Sequence, residues 1–418
     1  MSVRFGFVPV VPPFVGAHQE ESVVAPYVPG LEALGGERWS GQDLSDPAPV
    51  LYLMVTGGTE RVLLDLRERR AEHVSAEPVL LVAHPGNNSL PAALEVLARL
   101  HSDGVRGRIC YLHGPDDADG YGAIASAVRM LSVRAGLAAA RIGVVGEPSD
   151  WLVASTPTAA IVGEVWGPRV VSLPMRPLRE GAGAADEEAS AAHAGVLIEG
   201  ATETREPDAA AIAAASAVHG ALASIVAENA LDAVTVRCFD LVLDPGTTGC
   251  VALAELTDAG VIAGCEGDVV STVGLLWASR LLDEVPWMAN PARLDEAAET
   301  VTLAHCTVPR GLVESYALRS HFESGLGVGI QGTLPLGPVT LLRIGGARME
   351  RLWVAEGEIV ATGDEDDLCR TQVDVRLTSG SVRDLLTAPL GNHVVLVRGN
   401  HEKVLRAYWD LAVAPLAR

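Results

Sequence analysis

The stretch "PVLYLMVTGGTERVLLDLRERRAEH", residues 49–73, predicts the fold of the first third of the chain. It opens as a short apolar run that ends in Thr-Gly-Gly. The residues that follow have the spacing of an amphipathic helix. A buried strand followed directly by a helix is the repeating unit of a parallel α/β sheet.

The same alternation continues on both sides of this stretch. Further strands and helices are predicted at residues 3–11, 78–86, 90–104, 106–114 and 121–137. We therefore expect a doubly wound α/β domain over residues 1–141. Ligands bind such sheets at the carboxyl ends of the strands.

Two more domains are predicted after residue 141. A second Rossmann-like α/β domain, residues 142–284, starts at "RIGVVGEPSDW" and includes an Ala-rich helix over 208–230. The tract "GAGAADEEASAAHAG" (181–195) has low complexity, and we expect it to be solvated. Beyond residue 285, short runs rich in Val, Thr and Gly predict a β-rich, barrel-like domain, 285–418.

Composition limits the function classes. The 418 residues carry a formal net charge of −22, which repels phosphate backbones and argues against nucleic-acid binding. The start is too rich in proline for a signal peptide, and an uninterrupted run of about 20 apolar residues is lacking, so we expect no membrane span. Irregular cysteine spacing favours free thiols in a reducing cytoplasm. The cysteines are Cys110, Cys238, Cys250, Cys265, Cys306 and Cys369.

Two polar loops follow strands of the first domain, "TGGTE" (56–60) and "HPGNNSL" (84–90). Neither has the spacing of a nucleotide-binding motif. Their candidate substrate-binding residues are Thr56, Gly57, Gly58, His84 and Asn88. The alternative is two plain turns, with Thr59 capping the following helix.

A second set of candidates lies in the last third of the chain. It comprises Glu266, Asn290, His305, His321, Glu323, Arg370 and His393. Carboxylates and imidazoles from separate elements are what a divalent Mn, Co or Zn ion needs. Each residue also has a structural alternative. Glu266 could cap a helix, and Arg370 could pair with the acidic run at 364–367.

Four segments resemble the L-fucose isomerase and L-arabinose isomerase family, and most of all its shorter L-fucose isomerase-like members. The likeness is strongest between about residues 236 and 400. The segments are "GCEGDVVSTVGLLWASRLL" (264–282), "VPWMANP" (285–291), "LAHCTVPR" (303–310) and "PLGNH" (389–393).

The resemblance implies a site for a divalent metal, preferably Mn, with Co, Zn or Mg as alternatives. By motif, Glu266 is the first ligand and His393 the last, while Asn290 stands where the family has a second acid. An amide oxygen can still bind a cation, but it cannot act as a base. We therefore assign proton removal to Glu266 and helix capping to Asp268.

The resemblance further implies a metal-dependent aldose–ketose isomerase acting on a free or modified monosaccharide. The expected catalytic residues are Glu266, Asn290, His305 and Glu323, with His321 and Arg370 binding substrate. It also implies a homotrimer or homohexamer whose sites lie between subunits. The alternatives are an epimerase or lyase that uses the same metal, and a sugar-binding protein without catalysis.

Overall fold

The computed structural model describes residues 3–74 and 76–416. The chain divides into two compact units, one of residues 1–136 and 406–418 and the other of residues 137–405. The two units are described separately below. The division into three domains at residues 141 and 284 stays a prediction.

The described part of the first unit contains a sheet of five parallel strands in the order β2-β1-β3-β4-β5. The strands are β1 (Phe5–Val10), β2 (Gly36–Arg38), β3 (Val50–Met54), β4 (Val79–Ala83) and β5 (Gly107–Tyr111). The helices are α1 (Ala17–Val24), α2 (Val28–Ala33), α3 (Glu60–Ala71), α4 (Ser89–Ser102) and α5 (Ala118–Ala139). This confirms the predicted parallel α/β architecture, in which apolar strands such as β3 are buried throughout.

The second unit begins with a parallel sheet and ends with a barrel. Its strands are β6 (Arg141–Val145), β7 (Arg169–Leu173), β8 (Glu203–Thr204), β9 (Ala233–Val236), β10 (Ile262–Cys265), β11 (Trp287–Asp295), β12 (Thr300–His305), β13 (Ser315–Arg319), β14 (Gly329–Thr333), β15 (Gly337–Gly345), β16 (Arg351–Thr362), β17 (Thr371–Leu377) and β18 (Val394–Arg398). Its helices are α6 (Ala159–Val165), α7 (Arg176–Gly183), α8 (Glu187–Gly200), α9 (Ala209–Glu228), α10 (Phe239–Leu243), α11 (Cys250–Asp258), α12 (Val269–Leu282) and α13 (Val382–Thr387). The last helix, α14 (Glu402–Ala412), lies largely in the first unit.

The parallel sheet has the order β10-β9-β6-β7, and the closed barrel has the order β11-β12-β17-β16-β15-β18. All barrel pairings are antiparallel, which confirms the predicted β-rich region. Closure pairs each of these six strands on both sides. Inward side chains fill the interior with a buried apolar cluster that includes Leu303, Leu341 and Leu396.

Helix α12 connects the parallel sheet to the barrel. It packs against β10 on one side and against β15 and β18 on the other. A helix covered on both sides has to be apolar all round, which explains the sequence "VVSTVGLLWASRLL". The helix therefore fixes the carboxyl end of β10 beside one end of the barrel.

Two further findings concern helices. The tract 181–195 is mostly exposed, as expected, and it forms the end of α7 and the start of α8, because its Ala and Glu residues favour helix. By length and composition alone, α5 and α9 could each cross a membrane. Within the protein, 44% of the apolar 18-residue stretch of each helix is buried, and two such helices are weak evidence for a membrane span.

Candidate functional site

Glu266 lies directly after β10, in a tight turn with an unusual backbone. Its φ is +64° and that of Gly267 is +73°. A glutamate with a left-handed backbone conformation carries about 1–3 kcal/mol of strain, and it keeps this conformation only where the surrounding structure holds it. Here Gly267 N donates to Val236 O at 3.0 Å, and Glu266 O accepts from Ser149 N at 2.9 Å. The turn places the Glu266 side chain at the wall of a cavity.

Asp268 caps helix α12, as predicted, and also holds the site together. Its Oδ1 accepts from Ser271 N at 2.8 Å, and its Oδ2 accepts from Ser271 Oγ at 2.7 Å. The carboxylate is fully buried, which by itself would raise its pKa. Arg343 and His393 outweigh burial and keep the pKa of Asp268 well below its ordinary value. Asp268 is therefore a buried anion.

His393 lies between two carboxylates. Its Nδ1 is 2.9 Å from Asp268 Oδ2, and its Nε2 is 3.6 Å from Glu266 Oε1. Burial works against the imidazolium, but both carboxylates favour it and raise the pKa of His393 to about 9. With Nδ1 bonded to Asp268, Nε2 is the nitrogen available to a metal, an arrangement common around bound cations.

Arg343 of β15 supports this group from behind. It lies 3.3 Å from Asp268 Oδ2 and donates to Ser155 Oγ at 2.5 Å and to Ser271 Oγ. The glycine of the "PLGNH" segment makes room for it, because a Cβ on Gly391 would lie 2.1 Å from Arg343 Nη2. Arg343 was not among the predicted site residues, since an arginine within an apolar strand run gives no motif.

His305 is the last residue of β12 and completes a three-residue group. One ligand atom from each of Glu266, His305 and His393 lies within 4.8 Å of the others, and all three residues are buried. His305 Nδ1 is hydrogen-bonded with Thr307 Oγ1 at 3.0 Å. Burial and the nearby His393 lower the pKa of His305 to about 4, so the ring is neutral at pH 7.

This donor set fits a divalent transition metal. Two imidazoles and one carboxylate are typical of Mn, Fe, Co or Zn sites, and each imidazole is oriented through Nδ1 by a second residue. The predicted ligands Glu266 and His393 are thus brought together. His305, predicted only as a catalytic residue, joins them. Asn290, on β11 opposite Ala304, lines the same cavity, and its role as a ligand stays a prediction.

The cavity in front of this group has a volume of about 400 Å³, within the usual range of small-molecule sites. Asn290, His321 and Glu323 line it together with Glu266 and His305. His321 is buried, whereas Glu323 is exposed. The described residues that line the cavity include two glutamates but no Lys or Arg.

Aromatic side chains form one wall of the cavity. Trp151 Nε1 donates to Glu266 Oε2 at 2.6 Å and so orients that carboxylate. The Trp151 ring meets Phe239 edge to face at 4.9 Å, and Phe239 meets His321 at 5.4 Å. Such rings suit the apolar faces of a sugar. Trp151 was missed because the loop "GEPSDW" carries no motif.

Five of the six cysteines also line the cavity. They are Cys238, Cys250, Cys265, Cys306 and Cys369. All are free, although Cys238 Sγ and Cys265 Sγ lie 2.9 Å apart. Their irregular spacing concealed this grouping. The available signal was their position, because most stand where a strand or helix begins or ends.

Arg370 does not line the cavity. Its Nε donates to Ser320 O at 2.8 Å, and its Nη1 is 3.7 Å from Asp366 in the acidic run. These contacts agree with the structural alternative given above. A role for Arg370 in substrate binding stays a prediction.

The remaining candidates belong to the first unit, after β3 and β4. The His84 ring is satisfied by backbone groups, since Nδ1 accepts from Gly86 N and Nε2 lies 3.2 Å from Val55 O. Asn88 is exposed and left-handed, with φ +57°. Thr59 occupies the N-cap position of α3, but its hydroxyl bonds to Thr56 O and caps nothing. Substrate binding by Thr56, Gly57, Gly58, His84 and Asn88 stays a prediction.

Comparison with known proteins points to isomerases. The chain is 24% identical over 204 residues to a sulfoquinovose isomerase of Alkalicoccus urumqiensis, covering 47% of this chain and 46% of that protein. It is 26% identical over 185 residues to the sulfoquinovose isomerase of Priestia aryabhattai, covering 41% of this chain and 40% of that protein. It is 30% identical over 114 residues to the sulfoquinovose isomerase of Clostridium sp. strain MSTE9, covering 27% of this chain and 24% of that protein. No family model matches the chain.

The matched stretches span less than half of these relatives. The similarity supports a sugar isomerase in general terms. The more specific likeness to L-fucose isomerase-like proteins stays a prediction.

Proposed function

We propose that this protein is a metal-dependent aldose–ketose isomerase acting on a monosaccharide. The observation that carries the proposal is the buried group of Glu266, His305 and His393, of which Glu266 and His305 line a cavity of about 400 Å³. The similarity to sulfoquinovose isomerases supports the reaction class.

Isomerisation removes a proton from the carbon beside the carbonyl and returns it to the neighbouring carbon. A divalent cation, when bound, polarises the carbonyl and stabilises the enediolate charge. Glu266, His305 and His393 would hold it, with Asn290 contributing an amide oxygen.

Glu266 is the proposed base. Burial would raise its pKa, but the contact with His393, the nearby His305 and the hydrogen bond from Trp151 hold the pKa below its ordinary value. The carboxylate is therefore ionised at neutral pH and can accept a proton. Trp151 occupies Oε2, which leaves Oε1 for chemistry. The exposed Glu323, which lines the same cavity, positions the substrate.

The lining of the cavity bears on the substrate class. A sulfonate is a permanent anion and needs a cationic or N–H-rich partner. The described lining offers two carboxylates and neither Lys nor Arg. We therefore favour a neutral sugar over a sulfonated one. An enzyme specific for the sulfonated sugar of the relatives' name would have to bind it through the side-chain nitrogens of Asn290 and His321 or through a cation from outside this cavity.

The test is proton exchange in deuterated water with Mn²⁺. Neutral aldoses, their deoxy forms and sulfoquinovose are each incubated with the protein, and deuterium at the α carbon and the products are followed by NMR. We expect exchange with formation of a ketose. Binding without exchange would contradict the proposal and favour a sugar-binding protein.

Glu266→Gln should lower turnover at least about 100-fold, about 3 kcal/mol of barrier, because base catalysis is removed. Glu323→Gln is the comparison variant, because Glu323 lines the same cavity outside the three-residue group and positions the substrate. It should raise KM, while kcat stays far above that of Glu266→Gln. Wild-type turnover in Glu266→Gln would remove it as the base.

An epimerase or lyase is the second candidate, favoured by the presence of Asn290 at the cavity wall. Because Asn290 is an amide, one of the two carboxylates in the motifs of the resembled isomerases is missing. The enediolate can then lead to a different product. The same NMR experiment separates the candidates, because an epimer or a shorter product replaces the ketose.

A further inference from the structure

A second group of metal-ligating side chains lies on three helices of the second unit. His193 is on α8, His219 on α9 and Glu255 on α11. One ligand atom from each lies within 4.8 Å of the others. None of the three lines the cavity of the candidate active site.

The distances suit a small cation. Glu255 Oε2 is 3.2 Å from His193 Nε2 and 3.6 Å from His219 Nδ1. Ligands about 2.0–2.1 Å from a tetrahedral zinc ion lie about 3.3–3.4 Å apart. The distances from Glu255 Oε2 to the two imidazole nitrogens are therefore close to the spacing of zinc ligands. The two imidazole rings are stacked, with their centroids 5.1 Å apart, and each ring presents a nitrogen to the same carboxylate oxygen.

Polar atoms of this group lack ordinary partners. Among the described residues, the buried Glu255 Oε2 and His193 Nδ1 have no hydrogen bond. Leaving such an atom unpaired costs about 1–3 kcal/mol. Arg310 Nη2 donates to Glu255 Oε1 at 2.7 Å and so fixes the carboxylate with Oε2 towards the imidazoles. Asp258, 3.7 Å from Arg310 Nε, offsets the guanidinium charge.

The group is also accessible. His193 and His219 retain 31% and 25% side-chain exposure, and both line a surface cavity of about 580 Å³. Ser216, one turn before His219, lines the same cavity, and its buried hydroxyl has no hydrogen-bond partner among the described residues. A cation could thus enter from this side and complete its coordination with water.

We propose that His193, His219 and Glu255 form a second divalent-metal site, of the zinc class, that joins α8, α9 and α11. Two imidazoles and one carboxylate prefer zinc-like ions over Mg²⁺ or Ca²⁺, which take oxygen ligands. The site is independent of the proposed reaction. Its role is to stabilise the packing of three helices.

The test is titration of chelator-treated, full-length protein with Zn²⁺ by calorimetry, and with Co²⁺ by visible absorption. The experiment is done in the His393→Ala background, which removes a ligand of the candidate active site. We expect about one tight site per chain, a tetrahedral Co²⁺ spectrum and a rise in melting temperature with Zn²⁺. Absence of a tight site would overturn the proposal.

His193→Ala and His219→Ala, in the same background, should each weaken Zn²⁺ binding at least about tenfold. His73→Ala is the matched control, because His73 is an exposed histidine of the first unit. Circular dichroism of the metal-free variants checks their fold, and His193→Gln replaces any variant that does not fold. Equal affinity in both cluster variants and the control would overturn the proposal.

Discussion

At the scale of single residues, Asn290 is the clearest departure from the isomerase motifs that the sequence resembles. Replacing its amide with a carboxylate restores a charge beside Glu266. We predict that Asn290→Asp binds Mn²⁺ more tightly than the wild type, because a charged oxygen is a better ligand for a hard cation. Calorimetric titration of the chelator-treated protein measures the difference.

Asn290→Ala is the control for this prediction, since it removes the amide oxygen without adding charge. It should bind Mn²⁺ no more tightly than the wild type. Identical affinities for wild type, Asn290→Asp and Asn290→Ala would place Asn290 outside the metal site.

His393 predicts a dependence of stability on pH in the metal-free protein. Its pKa rises from an ordinary 6.5 to about 9 on folding. A raised pKa stabilises the folded state fully below about pH 6.5, and the contribution is lost as the pH rises through about 9. The free energy of unfolding should therefore fall across this window in urea titrations of chelator-treated protein.

In His393→Gln this slope should flatten, because the titrating group is gone. Asp268 has the opposite effect on stability. Its pKa is lowered on folding, so its contribution to stability is present above the ordinary pKa of an aspartate and is lost only in acid. A wild-type slope retained in His393→Gln would mean that another group titrates in this range.

At the scale of elements, the turn between β10 and α12 decides the geometry of the site. A Cβ on Gly267 would lie 2.7 Å from Pro148 Cα, in addition to the strain of φ +73°. We predict that Gly267→Ala destabilises the protein by more than the roughly 1–2 kcal/mol of left-handed strain alone, since backbone would have to move. It should also lower activity by displacing Glu266.

Gly260, in the turn before β10, provides a matched comparison. Its φ is +89°, but a Cβ at this position would meet no atom of the described residues within 4 Å, so Gly260→Ala tests strain without a clash. Thermal unfolding and turnover of both variants give the contribution of the clash. Equal losses in Gly260→Ala and Gly267→Ala would contradict close packing at the Glu266 turn.

The elements themselves were largely predictable from sequence. Strands such as β3 and β4 are short apolar runs followed by Gly or Pro, and α12 begins at an acid that caps it. The contacts of Asp268 with Arg343 and His393 were not predictable, because they join residues 75 and 125 positions apart. Sequence patterns report local geometry, whereas these ion pairs follow from the packing of α12 against β15 and β18.

At the scale of the whole molecule, the cysteines show the same limit. The irregular spacing gave no sign that five of them line one cavity. Their convergence results from the way β9, β10 and β12 end on the same side of the second unit. The three-domain division, inferred from the order of predicted strands and helices, stays a prediction, while compactness separates the chain at residues 136 and 406.

The predicted homo-oligomer can be tested by complementation. If residues of the first unit complete the site of a neighbouring subunit, two variants that are each inactive can restore each other. One variant is Glu266→Gln. The other combines Thr56→Ala with Asn88→Gly, since glycine preserves the left-handed backbone at Asn88 while removing its amide.

Equal mixing with subunit exchange gives about a quarter of the sites an intact part from each of two subunits, if each site takes one part from each of two subunits. We therefore predict recovery of about a quarter of wild-type turnover in the mixture, and a trimeric or hexameric mass by light scattering. A site built within one chain would gain nothing on mixing, because every chain carries a defect. A fully active monomer would exclude the shared site altogether, and with it the assignment of the two polar loops to a neighbour.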